Sequence, residues 1–346
     1  MNTATKAEQP ASIIEESLCI EVTTRCNSDC LHCFVHAKAA KRPSMSEDVV
    51  KQIIAEGFVA GYRSLHLTGG EPLLWEGLFK ALDYAFDTGY RTATMNTNGR
   101  LLTETAAQKL VAYDGLSISV SLDGPEKLHD RLRGKGAYKQ AVAGIDRALD
   151  AGLDLRIFTV ARKSLLPVLL YFSNYLFDRF DGIKYLTLIQ LISVTHNGFG
   201  LAKELLDPDD FLKLVQRVAL LNLCGLPIKI KNNQLANIAS KLMGMPWVPS
   251  AHPLCTRGSM TVMADGNICL SHSIRDSFGK YAPGMIQKVL SSNEYQRAVG
   301  PDQSDCPACK YTELCQANGM VRPWQHQIAA QSQIPYCRKV LDKVVA

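Results

Sequence analysis

The sequence lacks the apolar segments that export or insertion into a membrane requires. Residues 1–17 contain no apolar core of a signal peptide and carry three glutamates. The most apolar helical segment, residues 165–177, contains Pro167 and Asn174 and is too short to span a bilayer. We therefore expect a cytoplasmic protein without membrane contact.

Long runs of like charge and internal repeats are also missing. The net charge of the 346 residues is only +5, and no five like charges follow one another. A nucleic-acid partner is therefore not expected. Because no export signal is present, the eleven cysteines indicate a reducing compartment and metal binding rather than disulfides.

Short β-rich segments alternate with helical stretches through the first two thirds of the chain. The predicted strands are residues 18–23, 64–68, 92–96, 116–122, 154–160 and 184–190. The predicted helices are residues 46–60, 76–88, 103–112, 137–151, 165–180 and 208–223, with N-caps at Ser46 and Thr103. Six β/α units with right-handed crossovers predict an α/β fold, a partial (β/α)6 TIM-like barrel of parallel strands.

Functional groups of such a barrel lie where its strands end and the next loops begin. Four predicted loops carry unusual residues at this position: residues 26–33, 69–72 and 96–99, and Asp123. We expect these four loops to meet on one face of the barrel.

The alternation ends after about Lys231. A hairpin at residues 259–270, with its turn at Asp265 and Gly266, precedes a cysteine-rich loop and a last cysteine. We predict an N-terminal tail of residues 1–17, a core of residues 18–231 and a small C-terminal module of residues 232–346. That module is too rich in loops to hold its shape without a metal.

Cys26, Cys30 and Cys33 follow the first strand with the spacing C-x3-C-x2-C. Thiolates are the usual ligands of iron–sulfur clusters, and four of them normally complete a cubane. Three cysteines would leave one iron open to a small molecule. The spacing alone leaves two alternatives: a structural zinc site completed by His32 or His36, or three cysteines that bind no metal.

This cysteine motif, followed by the run GGEP at residues 69–72, resembles the radical S-adenosylmethionine (SAM) superfamily over about residues 17–230. The resemblance implies a [4Fe–4S] cluster on the three cysteines, whose open iron binds the amino and carboxylate groups of SAM. It further implies an enzyme that splits SAM reductively, so that a 5′-deoxyadenosyl radical takes hydrogen from a substrate C–H bond. An external donor of flavodoxin or ferredoxin type would supply the electron.

The same resemblance assigns a SAM site. Glycines at 69 and 70 would let the backbone approach SAM, the glutamate at 71 would balance the sulfonium or anchor local hydrogen bonds, and the histidine at 32 would pack near adenine. The predicted SAM-binding residues are His32, Gly69, Gly70, Glu71, Pro72, Asn98, Ser119, Ser121, Asp123 and Arg131.

Several of these side chains also have an ordinary structural interpretation. His32 could be a hydrogen-bonded loop residue, Asn98 a turn former and Ser119 a filler of the barrel interior. Arg133 matches the same loop as Arg131, and either could bind a carboxylate or belong to a solvated charge cluster.

A second group of cysteines resembles the C-terminal SPASM extension of many radical SAM enzymes. This resemblance implies an auxiliary [4Fe–4S] cluster held by four thiolates, with a zinc site as the alternative. The predicted ligands are Cys306, Cys309, Cys315 and Cys337. Ser271 and Gly319 stand where the ligands of another auxiliary cluster would be, so we expect one such cluster.

Cys255 and Cys269 lie near that incomplete ligand set. If they are not ligands of a remodelled cluster, they would be free thiols near the active site, and they are our candidates for hydrogen-atom donors to a substrate radical. The alternative is that they are small buried hydrophobic residues, which is the interpretation preferred for Cys19 in the first strand.

The leading functional prediction is modification of a peptide or protein side chain by oxidation, crosslinking or epimerisation, because the SPASM group is rich in such enzymes. Only about seventeen residues precede the first strand, so no leader-recognition domain is expected there. The alternatives are an enzyme for a sugar, nucleoside or tetrapyrrole, an RNA-modifying enzyme, and a non-catalytic iron–sulfur or zinc module. The last would not explain residues 69–72.

Overall fold

A nine-stranded sheet organises the computed structural model, which describes residues 13–33, 35, 42–192, 199–246, 248–249, 257–299, 309–311 and 336–345. Its strands are β1 (Ile14–Thr23), β2 (Tyr62–Gly69), β3 (Thr92–Thr97), β4 (Leu116–Ser121), β5 (Asp154–Ala161), β6 (Leu186–Gln190), β7 (Ile228–Lys231), β8 (Met260–Val262) and β9 (Ile268–Cys269). Their order is β7-β6-β5-β4-β3-β2-β1-β8-β9. All neighbouring pairs are parallel except β8 and β9. The predicted α/β fold with a partial barrel is confirmed.

Helices connect the strands. In the described residues they are α1 (Glu47–Ala60), α2 (Leu78–Thr88), α3 (Glu104–Leu110), α4 (Glu126–Arg133), α5 (Ala137–Asp150), α6 (Leu169–Arg179), α7 (Pro208–Leu223), α8 (Leu235–Leu242), α9 (Met285–Leu290), α10 (Asn293–Val299) and α11 (Tyr336–Val345). The predicted caps are confirmed, since Ser46 and Thr103 accept backbone N–H bonds at the starts of α1 and α3. No helix of these described ranges is long and apolar enough to cross a membrane.

The alternation of side chains along β1 separates the core from a polar interior. Leu18, Ile20 and Val22 are fully buried in the hydrophobic core between sheet and helices. Because successive residues of a strand point to opposite faces, Ser17 and Cys19 face the inside of the curved sheet. The same alternation in β2–β7 builds a polar interior surface.

Two predicted elements differ by more than two residues from the elements in the structure. The predicted helix 165–180 is divided, because Pro167 lacks an N–H and lies in a 3-10 turn, Lys163–Val168, that precedes α6. Strand β1 begins at Ile14, four residues before its predicted start, and Ile14 N donates to Gly61 O at 2.9 Å.

The predicted hairpin is present and extends the sheet. Strand β8 pairs with β1 in the register Cys19 to Thr261, and β9 returns beside it. The turn is closed by Asp265, whose Oδ1 accepts from Asn267 N at 3.0 Å, and by Gly266 with φ +86°. The proposed division of the chain at residue 231 stays a prediction.

Candidate active site

A cavity of about 580 Å³ lies inside the curve of the sheet. The strand register places Cys19, His66, Thr94 and Ser117 side by side across β1–β4. The cavity is lined mainly by the inward residues of the strands and by two loops. Its lining includes Ser17, Cys19, His66, Thr68, Thr94, Asn96, Ser119, Ser121, Arg156, Phe158, Thr187, Ile189, Lys229 and Lys231.

The three cysteines of the loop after β1 line this same cavity. Their loop is held by the turn after β3, where Asn98 Nδ2 donates to Asn27 Oδ1 at 2.6 Å and to Ser28 Oγ at 3.2 Å. Arg100 Nη1 donates to Asn27 O at 2.8 Å. Asn98 is therefore more than a turn former, because it also fixes the cysteine loop.

Arg133, at the end of α4, connects the cysteine loop to β4. Its Nη1 donates to Cys30 Sγ at 3.9 Å, its Nη2 to His32 Nε2 at 3.3 Å, and its Nε to the Asp123 carboxylate. Burial raises the pKa of Asp123, but the Arg133 guanidinium and neighbouring groups outweigh burial and hold that pKa below its usual range. Asp123 is therefore ionised and keeps Arg133 beside Cys30.

The thiols need a positive partner to ionise. Burial raises the pKa of Cys26, and it raises the pKa of Cys30 to about 11. Metal binding requires the thiolate form, so a cationic metal centre would have to drive the deprotonation.

Zinc and an iron–sulfur cluster place different demands on these side chains. In the described residues, no three His, Cys, Asp or Glu side chains converge on a position for a single ion. Zinc would need its ligands around one ion, whereas the thiolates of a cubane bind different irons. The three thiols that line the cavity are the donor set that a cluster with an open iron requires.

Gly69 and Gly70 are required by the backbone of the cysteine loop. A Cβ on Gly69, which has φ +142°, would lie 2.1 Å from Thr23 O, and a Cβ on Gly70 would lie 2.2 Å from Arg25 O. The N–H of Gly70 donates to Thr23 O at 2.7 Å. Both glycines line the cavity, but the close approach that excludes a side chain is to the protein itself.

Glu71 is fully buried and serves as a local anchor. Its carboxylate accepts bonds from Leu73 N at 3.2 Å, Thr97 Oγ1 at 2.8 Å and Asn98 N at 2.8 Å. Two roles were predicted for Glu71, and these contacts are those of the second, the anchoring of local hydrogen bonds. Pro72 is buried and begins a 3-10 turn, and neither residue is part of the cavity lining.

The other predicted SAM-binding residues divide into two groups. His32, Ser119 and Ser121 line the cavity, whereas Asp123 lies buried behind Arg133. Arg131 lies outside the cavity, with a side chain that is 69% exposed and a guanidinium 3.9 Å from Glu204. Of the two arginines of α4, Arg133 is the one in the site.

Of the remaining predicted cysteines, the three that the structure describes do not line the cavity. Cys269 is buried on β9 but does not line it, Cys309 is exposed, and Cys337 is half-buried on α11. Cys255, Cys306 and Cys315 lie outside the described residues. The auxiliary cluster and the hydrogen-atom donors therefore stay predictions.

The sequence reasoning missed a group of side chains at the β1–β8 edge. Cys19 lines the cavity, with its Sγ 3.8 Å from His272 Nδ1, and His272 Nε2 lies 3.8 Å from Glu21 Oε2. Burial lowers the pKa of His272 to about 3 and raises the pKa of Glu21 to about 7. The alternation Ser17, Cys19, Glu21 was the signal that could have found them.

Part of the chain is similar in sequence to proteins of a known family. Residues 20–163 match the model of the "Radical SAM superfamily". The chain is 35% identical over 149 residues to an "AdoMet-dependent heme synthase" of Nitratidesulfovibrio vulgaris, which covers 42% of this chain and 40% of that protein. It is 28% identical over 261 residues to a "Probable GTP 3',8-cyclase" of Sulfurisphaera tokodaii, which covers 73% of this chain and 80% of that protein. The chain thus spans about two fifths of the first of these relatives.

Solved structures share the fold. The structure of "Native anSMEcpe with bound AdoMet and Kp18Cys peptide" superposes with a TM-score of 0.68 at 19% identity, over 95% of this chain and 98% of that chain. At this identity the similarity establishes the fold alone.

Proposed function

We propose that the chain, whose residues 20–163 match the model of the Radical SAM superfamily, cleaves SAM reductively and abstracts a hydrogen from a substrate C–H bond. When bound, a reduced [4Fe–4S] cluster supplies the electron that splits SAM into methionine and the abstracting radical. The proposal rests above all on one observation: the three cysteines of the C-x3-C-x2-C motif line the cavity that the polar strand residues enclose.

The loop after β1 would hold the cluster. Cys26, Cys30 and Cys33 would supply three thiolates, and the Arg133 guanidinium would stabilise the negative charge at Cys30. Asp123 fixes Arg133 in this position. Asn98 holds the start of the loop, so the thiolates are positioned before the cluster binds.

The strands would position SAM and exclude water. Ser119 and Ser121 present hydroxyls to the cavity, and the backbone of Gly69 and Gly70 forms part of its wall. Burial lowers the pKa of His32 to about 3, so its ring is neutral and adds no charge that would repel a sulfonium.

The substrate class is a further part of the proposal. We take modification of a peptide side chain as the first candidate, supported by the solved structure of the same fold that contains a bound peptide. The second candidate is a small molecule, supported by the heme synthase and the probable cyclase among the sequence relatives and by the cations in the cavity. An auxiliary cluster on Cys306, Cys309, Cys315 and Cys337, a flavodoxin or ferredoxin donor and a cytoplasmic location belong to the same proposal.

The test is SAM cleavage by protein reconstituted without oxygen. We expect roughly four irons per chain for one cubane and roughly eight for two, and 5′-deoxyadenosine after reduction in the presence of SAM. Cys30→Ala should abolish that product, whereas Cys224→Ala, at an exposed cysteine that follows α7, should not. Zinc in place of iron, or reduced wild-type protein that releases no 5′-deoxyadenosine, would overturn the proposal.

A further inference from the structure

The cations inside the cavity point to a substrate group of opposite charge. We propose that the substrate carries a carboxylate or phosphate that binds Arg156 and Lys229, at the end of the cavity opposite the cysteines. This inference rests on the proposed function only in taking the cavity as the substrate site, and it names the class of substrate.

The positions of the two cations follow from the sheet. Arg156 is the third residue of β5 and Lys229 the second residue of β7, so both lie towards the amino ends of parallel strands. The cysteines follow the carboxyl end of β1. Across β6, Thr187 pairs with both Phe158 and Lys229, which brings the inward side chains of β5 and β7 to one part of the cavity.

The lining of the cavity carries an excess of positive charge. Among its described residues the cations are Arg133, Arg156, Lys229 and Lys231, and the one carboxylate is Glu16. Arg133 is neutralised by the buried Asp123, and Arg156 forms an ion pair with Asp154, which lies outside the lining. The charge of Lys231 reaches Cys19, His66 and His272, since it lowers the pKa of each of these groups. The carboxylates that pair with the two arginines thus lie behind the lining, and Glu16 is the one described carboxylate on it.

Arg156 keeps hydrogen-bonding capacity that the protein does not use. Its Nη2 donates to Ser117 Oγ at 2.8 Å and to Asp154 Oδ2 at 3.2 Å. Its Nε is buried and has no hydrogen-bond partner in the described structure. A buried donor without a partner is unfavourable, so an oxyanion that accepts from this edge of the guanidinium would be stabilised.

Lys229 forms no ion pair with a described carboxylate within 4 Å, and the charge of Asp154 acts on it only from farther away, raising its pKa. Its Nζ lies 4.1 Å from the centroid of the Tyr185 ring. Burial, and then the charge of Arg156, lower the pKa of Lys229. Two cations that face the same space repel each other, and an anion between them removes that repulsion.

A substrate that is anchored at Arg156 and Lys229 would be positioned for the reaction near the cysteines. A substrate held by its anionic group could extend from Arg156 and Lys229 towards the cysteines, with one C–H bond fixed near them. Such fixation by a rigid guanidinium and an ammonium raises the effective concentration of the reacting group. The oxyanion could belong to a small acid or phosphate ester, or to an acidic side chain of a peptide.

The experiment is isothermal titration calorimetry of the reconstituted enzyme without reductant. The probes are succinate, inorganic phosphate, and a capped tripeptide with a central Glu compared with its Gln counterpart. We expect an anionic probe to bind. Lys229→Gln and Arg156→Gln should each lower the affinity for that probe about tenfold, because each removes a charge-assisted hydrogen bond. Succinate or phosphate binding indicates a small molecule, and tripeptide binding that requires Glu indicates a peptide.

Controls separate charge from structural damage. Lys139→Gln on α5 removes an equally positive side chain that is 78% exposed, and it should leave binding unchanged. Lys229→Arg keeps the charge, so its affinity for the anion should stay within about threefold of wild type. The tenfold loss expected for Lys229→Gln corresponds to about 1.4 kcal/mol. Thermal unfolding of each variant shows whether it is folded.

Three results would overturn the inference: none of the probes binds, both Gln variants bind the probes as tightly as wild type, or the variants lose as much affinity for SAM as for the anions. The last would make Arg156 and Lys229 ligands of the nucleotide. Because the titration needs no SAM cleavage, its failure is distinguishable from failure of the proposed function, which is read from 5′-deoxyadenosine.

Discussion

The guanidinium of Arg133 lies against the sulfur of Cys30, with Nη1 3.9 Å from Sγ. The contact joins the end of α4 to the cysteine loop, and the Leu31 N–H bond to Leu132 O, 2.8 Å, runs beside it. A positive charge so close to a thiolate stabilises added negative charge. The position of this arginine therefore affects how easily a cluster at Cys30 accepts an electron.

Replacement of Arg133 by Met should make the reduction potential of the cluster more negative. The reduced cluster has one more negative charge, and the variant lacks the cation that stabilises it. We expect a shift of roughly 60 mV, equivalent to a tenfold change for one electron, in a redox titration followed by electron paramagnetic resonance. Arg131→Met, two residues earlier and largely exposed, is the control. Equal potentials in both variants would contradict this role.

Replacement of Gly70 by Ala should disturb the site through the protein backbone. The added Cβ would lie 2.2 Å from Arg25 O, so the cysteine loop must move. We expect a loss of about 1–3 kcal/mol in the free energy of unfolding, with weaker retention of iron. Urea unfolding and iron analysis measure these effects. Gly152→Ala, with φ +83° and nothing within 4 Å of the new Cβ, should lose stability but keep its iron.

Replacement of Glu71 by Gln should weaken the hydrogen bonds that hold the turn at Asn98, which in turn fixes the cysteine loop. The carboxylate accepts three hydrogen bonds, and an amide would turn an N–H₂ group towards at least one donor. We expect a loss of about 1.5–3 kcal/mol in the free energy of unfolding, typical of bonds to a charged group. Glu76→Gln, at an exposed position, should have almost no effect. Similar stabilities of both variants in urea would refute the anchoring role.

Glu21 should make the protein less stable as the pH rises. Burial raises its pKa from 4.5 to about 7, against the hydrogen bond from Ala264 N and the charge of Arg275, with Asp265 adding to the rise. His272, the neighbouring imidazole 3.8 Å away, is neutral above about pH 3. A raised carboxyl pKa favours the folded state fully below pH 4.5, and that contribution is lost as the pH rises through 7.

The measurement is urea unfolding at pH 5 and pH 8. For Glu21 the loss of stability over this interval is at most about 3 kcal/mol, from the difference between its folded and unfolded pKa values. Glu21→Gln cannot ionise, so its stability should fall less over the same interval. If wild type and variant show the same pH dependence, the Glu21 carboxyl is ionised throughout.

The features that the sequence predicted are local. Ser46 is a cap because its own side chain reaches Val49 N, and the cysteine spacing lies within eight residues. The superfamily that the cysteines and residues 69–72 resemble is also the one whose model matches residues 20–163. A [4Fe–4S] cluster and SAM are the cofactors that this match supports.

The features that the sequence did not predict depend on contacts between distant segments. Arg131 and Arg133 are two residues apart on one helix, about 200° around its axis, so the packing of α4 decides which one reaches Asp123. Gly69 and Gly70 were assigned to SAM, because no pattern reveals that Thr23 O and Arg25 O lie against them. The alternation along β1 places Cys19 on the face opposite to Leu18 and Ile20, but only the curvature of the sheet makes that face enclose a cavity.

The central claim is that the cysteine loop holds a cluster whose open iron binds SAM inside this cavity. Electron paramagnetic resonance of the reduced, reconstituted protein tests it most directly, with SAM added under exclusion of oxygen. The account predicts that the cluster signal changes when SAM is added, and that Cys30→Ala shows no such change. An unchanged signal in the wild-type protein at saturating SAM would contradict the account.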